Sequence, residues 1–168
     1  MEHTFTCRGH GLILCPFSAK DSECYRLLRN RENNRRWFFF SDPISREAQE
    51  DWYRSYLKKD DEYMFSIYTE NGTFLGGAAL YHIGEHAAEF GRLIVDRTAA
   101  GRGGVGTLAL LLLCDLAREQ LGLIRLYLEV YEDNIPAAKT YEKAGFILKG
   151  RRPAKDGMRY INDMEKRL

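Results

Sequence analysis

Val130-Tyr131-Glu132-Asp133-Asn134-Ile135-Pro136-Ala137-Ala138-Lys139-Thr140-Tyr141-Glu142-Lys143-Ala144-Gly145-Phe146 decides how this chain is read. A strand ends at Val130, Asn134 caps a helix, and Gly145 stops that helix after Ala144. Tyr141 follows Asn134 by seven residues, close to two helical turns, so the two share one face. Ala137 and Ala138 lie between them and leave room for a ligand. The same residues also read as ordinary capping beside a half-buried tyrosine.

Upstream, Leu123 to Val130 alternates strictly, with Ile124, Leu126, Leu128 and Val130 set against Arg125, Tyr127 and Glu129. Before it, Thr107 to Leu121 is a helix apolar almost all round, closed by Gly122. The helix follows a glycine-rich loop, Gly101-Arg102-Gly103-Gly104-Val105-Gly106, that leaves a strand at Val95. Glycines let backbone approach a ligand, and the first helical turn has N–H groups without internal partners and a positive dipole end. Together with Arg102 these suit a pyrophosphate. A tight turn that merely packs strand on helix has the same signature. No Lys-Ser/Thr pair follows the last glycine, against a P-loop, and no leading βαβ unit precedes it, against a dinucleotide fold.

Further out, Gly11 to Phe17 reads as a strand. Ser18 caps a helix over Ala19 to Arg29 with Cys24, Leu27 and Leu28 inward, and Ser45 caps another over Arg46 to Lys58. Tyr63 to Thr69, a turn at Asn71-Gly72, Thr73 to His82 and Ala88 to Val95 make successive strands. Two short strands near Phe146 to Lys149 and Arg159 to Lys166 finish the chain. The expected order is β-α-α-β-β-β-α-β-α-β-β, an α+β domain with helices packed on a central sheet. No repeat or linker divides residues 1–168, so one domain is expected.

The 168 residues carry 25 Lys plus Arg against 24 Asp plus Glu, a net charge of +1. That balance offers no global field for nucleic acid or an anionic membrane. Hydrophobic residues make up 45%, enough for a packed core. Cys7, Cys15, Cys24 and Cys114 form no C-x-x-C pair, and no His cluster has metal-ligand spacing. Reduced thiols, no signal-peptide pattern and no apolar run near the ~20 residues of a bilayer span point to a soluble cytoplasmic protein.

The glycine loop and the Asn134–Tyr141 helix, in this order and separation, resemble the GNAT (Gcn5-related) N-acetyltransferase family over roughly Ala88 to Lys149. The resemblance implies the GNAT fold, a mixed and mostly antiparallel sheet flanked by helices, and acetyl-CoA as co-substrate with no metal. Acetyl-CoA would lie where two strands splay apart, against Leu93, Ile94, Val95, Arg102, Gly103, Gly104, Val105, Gly106, Thr107, Asn134, Ala137 and Lys143. The family loop reads Gln/Arg-x-x-Gly-x-Gly/Ala. Aligning on Gly104-Val105-Gly106 puts Gly101 at its first position and lets Thr107-Leu108-Ala109-Leu110 open the helix as in the family, whereas aligning from Asp96 favours Gly103 and leaves Val105 in the last small slot. An extra residue falls within Ala99 to Gly104.

The chemistry implied is direct attack of a neutral amine on a thioester. Tyr141 would be the general acid for the leaving thiolate. A tyrosine at about 10 against a thiol at about 8.5 gives an uphill transfer, so position must supply its help. Backbone N–H groups near Leu93 to Val95 can polarise the carbonyl if a bulge frees them. Glu89 is the first candidate base and His82 the second. The acceptor site is expected from the N-terminal helices. Leu28 to Phe38, with Ile44, Gln49, Trp52 and Tyr53, resembles GNAT members that acetylate nucleotide-linked amino sugars. Arg35 and Arg36 suit phosphates, and Trp37 or Phe38 a base or sugar face.

A solvated basic turn followed by core aromatics reads equally well. The rival acceptor is a peptide, as in ribosomal-protein-type N-terminal acetyltransferases. The rival of another class is a non-catalytic acyl-CoA sensor. A small-molecule amine partner and a possible homodimer complete the expectation.

Overall fold

A computed structural model describes residues 3–168. A hairpin of β1 (Cys7–Gly9) and β2 (Leu12–Pro16) leads into α1 (Ala19–Asn30), α2 (Glu32–Arg35) and α3 (Arg46–Tyr56). Three strands follow, β3 (Tyr63–Thr69), β4 (Phe74–Tyr81) and β5 (Ala87–Val95). Then come α4 (Arg97–Ala100), α5 (Val105–Glu119), β6 (Arg125–Tyr131), α6 (Ile135–Lys143), β7 (Ile147–Pro153) and β8 (Tyr160–Arg167). The eight strands form one sheet in the order β1-β2-β3-β4-β5-β6-β8-β7, and only β5 and β6 run parallel. The α+β architecture with a mostly antiparallel sheet is the expected one.

The sheet is covered on both faces. On one, α5 buries Val105, Ala109, Leu110, Leu113 and Leu116 against Leu12, Phe65, Leu80, Phe90 and Leu126. On the other, α1 and α3 place Tyr25, Leu28 and Tyr56 over Met64, Ala79 and Ile94. The capping box of α1 ties helix to sheet. Ser18 Oγ accepts from Asp21 N at 3.2 Å, and the Asp21 carboxylate accepts from Ser18 N at 3.3 Å, from Ser66 Oγ at 2.8 Å, and from the Tyr68 hydroxyl.

Several boundaries differ from the sequence reading. The strand expected over Gly11 to Phe17 is β2, and it pairs with an extra strand, β1, whose three residues carry no periodic signal. Single-turn helices α2 and α4 were hidden for the same reason. The helix expected at Thr107 begins at Val105, β7 is longer than expected, and β8 is shifted by one residue. The inward face of α1 is also different. Leu27 is 54% exposed, while Asp21, Ser22 and Arg29 are buried with Tyr25 and Leu28. Hydrogen bonds carry those polar groups inside, which a hydrophobic pattern cannot show.

Candidate active site

Strands β5 and β6 are paired only at Ala87–Arg125, Ala88–Leu126 and Glu89–Tyr127. Past Glu89 they part, and a cleft of about 1480 Å³ opens between them. Its upper part is lined by Leu93, Ile94, Val95, Arg102, Gly103, Gly104, Val105, Gly106 and Thr107 on one side and by Asn134, Ala137, Thr140 and Tyr141 on the other.

The glycine loop is built by two left-handed residues. Asp96 caps α4 by accepting from Thr98 N at 3.0 Å and Ala99 N at 3.2 Å, and Gly101 closes that turn at φ +62°. Gly104, at φ +80°, is the N-cap of α5 and offers no side-chain oxygen to the helix. The N–H groups of the first turn of α5 are therefore left for an external acceptor, at the positive end of a 15-residue helix. Arg97 and Arg102 stand on the same rim, and Arg102 donates to the His10 carbonyl at 2.5 Å. Such a donor set fits an anionic phosphate group.

A bulge occupies the middle of β5. The register with β4 runs Gly76–Val95 and Gly77–Ile94, then resumes at Ala79–Gly91, so Arg92 and Leu93 together oppose Ala78. Arg92 has φ +53°, its carbonyl accepts from the Tyr25 hydroxyl at 2.7 Å, and its guanidinium pairs with buried Glu62. A bulge therefore interrupts the β4–β5 pairing at Arg92 and Leu93. A Cβ at Gly76 would overlap the Ile94 carbonyl oxygen, so the approach of β4 to this segment needs glycine.

Asn134 and Tyr141 both line the cleft, with Ala137 between them, whereas Ala138 does not. Asn134 Oδ1 accepts from Ala137 N at 3.4 Å, so the capping role and the cleft-facing position coexist. Tyr141 packs edge-on against Phe90, with ring centroids 6.0 Å apart, and burial pushes its hydroxyl up to about 12. It is therefore protonated throughout the neutral range, as a proton donor must be.

Four expected residues lie off the cleft wall. Lys143 is on the exposed side of α6. Arg35 turns toward the Ser41 carbonyl at 3.3 Å, and its neighbour Arg36 lines the cleft instead. Glu89 and His82 sit behind Tyr81. The Tyr81 hydroxyl donates to Glu89 Oε1 at 2.9 Å, and His82 Nδ1 is 2.9 Å from Glu89 Oε2. Trp37 does line the cleft, with Arg36 stacked over it at 4.5 Å.

The lower cleft contains residues the sequence did not single out: Tyr25, Arg29, Tyr81, Arg92, Glu129 and Tyr131. A charged residue inside an apolar strand was the available signal for Arg92. Arg29 is 5% exposed and has no carboxylate partner among the described residues. It donates to the carbonyls of Phe40 and Asp42 and lies 4.7 Å from the Phe38 ring centroid. Burial lowers its pKa from the usual arginine value. Six arginines line the cleft (Arg29, Arg31, Arg36, Arg92, Arg97 and Arg102) against two acids, Asp96 and Glu129. Both acids are already paired, Asp96 with Arg31 at 3.0 Å and Glu129 with Arg152.

Among the described residues no group of three or more His, Cys, Asp or Glu side chains is placed to hold a metal, and no helix is long and apolar enough to cross a membrane. A family model described as an acetyltransferase (GNAT) domain matches residues 11–147. The chain belongs to this family. It is 33% identical over 101 residues to the probable N-acetyltransferase YjcK of Bacillus subtilis, a match over 58% of this chain and 55% of that protein. The chain thus spans about half the length of that curated relative. In fold it is similar to spermidine N-acetyltransferase from Vibrio cholerae in complex with CoA and spermine, with a TM-score of 0.84, 22% identity, and 95% and 96% of the two chains covered. It is also similar to a GNAT-family acetyltransferase from Bacillus anthracis, with a TM-score of 0.81, 14% identity, and coverage of 97% and 98%.

Proposed function

We propose that this protein is an acetyl-CoA-dependent N-acetyltransferase acting on a primary amine carried by an anionic small molecule, with a nucleotide-linked amino sugar as the acceptor class. The observation that carries the transferase reading is the open end of β5 and β6, with an uncapped α5 N-terminus on one wall and Tyr141 on the other. The first-turn N–H groups of α5, with Arg97 and Arg102, would hold the pyrophosphate. Asn134 and Ala137 would flank the pantetheine arm. Bulge N–H groups at Leu93 would face the thioester carbonyl, and Tyr141 would return a proton to the departing sulfur.

The acceptor reading rests on charge. Among the described residues Arg29 and Arg36 have no carboxylate partner, Arg97 and Arg102 are given to the pyrophosphate, and both cleft acids are already paired. A polycation entering the lower cleft would meet uncompensated positive charge, which disfavours spermidine, the substrate named for the Vibrio enzyme. Arg36 over Trp37, and Tyr131 under Arg159 at 3.6 Å, supply flat surfaces for a base or sugar beside cations for phosphate. Four free cysteines suit a reducing, cytoplasmic setting.

The test is CoA thiol release from acetyl-CoA with three acceptor panels: nucleoside-diphosphate amino sugars, spermidine, and peptides with free N-termini. The amino-sugar panel is expected to give the highest kcat/KM. A preference for spermidine or a peptide would overturn the acceptor assignment. Saturable acetyl-CoA binding with no thiol release on any amine would replace the enzyme by a sensor.

A further inference from the structure

Glu89 and His82, which the sequence offers as rival bases, form one hydrogen-bonded group, and a third residue separates that group from the cleft. Glu89 is the last residue of β5 paired with β6, so it sits at the apex of the splay. Its carboxylate does not line the cleft. Tyr81 does, and its hydroxyl donates to Glu89 Oε1 at 2.9 Å. Gly91 makes room for that hydroxyl, because a Cβ there would overlap it. Arg92 stacks over the Tyr81 ring, 4.9 Å from its centroid.

The far end of the group opens to water. His82 Nδ1 is 2.9 Å from Glu89 Oε2, and the imidazole is 67% exposed. In a regular strand Tyr81 and His82 would point to opposite faces. His82 instead has φ +51°, a left-handed conformation unfavourable for a residue with a Cβ, and it turns the imidazole to the side of Glu89. The other charged or titratable neighbours are Arg92 on β5 and Tyr127 and Glu129 on β6.

We propose that the Tyr81 hydroxyl is the group that takes the proton from the acceptor amine, with Glu89 and His82 relaying it to solvent; the proposal rests on the acetyltransferase reading above. An alkyl amine arrives as an ammonium ion at neutral pH. Its N–H bond breaks as the proton passes to Tyr81 Oη, and the tyrosine's own proton passes to Glu89 Oε1. Glu89 passes a proton to His82 or water, and the tyrosine is never left ionised. The freed nitrogen lone pair forms the N–C bond to the thioester carbonyl carbon, and the C–S bond breaks. The thiolate takes a proton from Tyr141, which recovers one as the nitrogen sheds its second. One ammonium ion and one thioester thus give an amide, a thiol and one proton released to water.

The experiment measures thiol release from acetyl-CoA with simple primary amines of graded basicity, for wild type, Tyr81→Phe, Glu89→Gln and His82→Gln. Acetyl-CoA affinity is followed by calorimetry. Tyr81→Phe is expected to lose about 100-fold in rate with strongly basic amines, which must be deprotonated. The loss should fall below about 5-fold with weakly basic amines that are neutral at the assay pH. Acetyl-CoA affinity should stay within about 3-fold. Glu89→Gln, which keeps the tyrosine hydroxyl, should show the same dependence on basicity, and His82→Gln a smaller one. A loss equal across all amines would assign a structural role and overturn the relay. Wild-type turnover that Tyr81→Phe retains would overturn the relay alone. A wild type that binds acetyl-CoA yet releases no thiol with any amine would overturn the transferase reading and the relay with it.

Discussion

Glu62→Gln probes the support beneath the bulge. The Glu62 side chain is 3% exposed and pairs with both Arg92 and Lys59. Burial pushes its carboxyl up, but the ion pairs with Arg92 and Lys59 outweigh burial and hold it below the ordinary carboxylate value. The glutamine keeps the size and one acceptor oxygen but removes the charge. Breaking a buried pair by removing one partner costs about 3–5 kcal/mol. Arg92 is 28% exposed and Lys59 43%, so water recovers part of that cost. The amide also keeps a hydrogen bond to the guanidinium, so about 2 kcal/mol is expected. For a domain of this size that corresponds to a fall of about 4–8 °C in unfolding midpoint.

The sign of the pH dependence follows from the lowered pKa. Glu62 contributes stability above its unfolded value, near about 4.3, and that contribution disappears as pH falls through the lower folded value. Thermal unfolding at pH 7 should therefore separate wild type from Glu62→Gln, and the gap should shrink steadily below pH about 4. Equal midpoints at neutral pH, or a gap that widens in acid, would refute the argument. Arg92 also carries the left-handed turn of the bulge and flanks Tyr81, so the same variant should lose activity at temperatures where it remains folded.

Three other substitutions separate chemistry from folding. Tyr141→Phe keeps the ring packed on Phe90 and removes only the hydroxyl, so kcat should drop about 100-fold with KM for acetyl-CoA nearly unchanged in steady-state assays. Because burial raises Tyr141 to about 12, no alkaline limb below about pH 10 in the wild-type rate profile should belong to it. Gly76→Ala forces a Cβ into the Ile94 carbonyl at φ +150°, and should cost about 3 kcal/mol and weaken acetyl-CoA binding through the displaced Ile94–Val95 wall, read by calorimetry. Leu113→Ala, at a fully buried position of α5, should cost about 3–4 kcal/mol in denaturant unfolding while leaving kcat in the cold intact.

What the chain reveals locally is what local forces determine. Tyr63 to Thr69 is read with its bounds correct because Asn71-Gly72 supplies a turn that Gly72 adopts at φ +86°. The Asn134–Tyr141 face is legible because helical period alone places the two residues together. By contrast β1, α2 and α4 are too short for any period to show: β1 is held by pairing with β2, α4 by its Asp96 cap, and α2 has no side-chain cap. The Tyr81–Glu89–His82 group was hidden for a related reason. It depends on a left-handed His82 and on strand pairing that ends at Glu89, and both are products of tertiary pairing rather than residue type. Glu89 and His82 therefore looked like alternatives when they are partners.

The same division explains why composition says so little about the acceptor. A chain with 25 basic and 24 acidic side chains has almost no net field. Yet the cleft is lined by six arginines and only two acids, each already in an ion pair. A ligand within a Debye length of about 8 Å responds to that local surplus, not to the sum over the surface. A backbone that superposes on a spermidine enzyme with a TM-score of 0.84 sets where the cleft lies, while at 22% identity the side chains facing it are free to differ. Acceptor preference should therefore follow Arg29 and Arg36 rather than the fold. Arg36→Glu, at an exposed cleft position, is expected to lower kcat/KM for nucleotide-linked acceptors about tenfold or more and to raise it for spermidine. A uniform effect on both acceptors would show that Arg36 does not select between them.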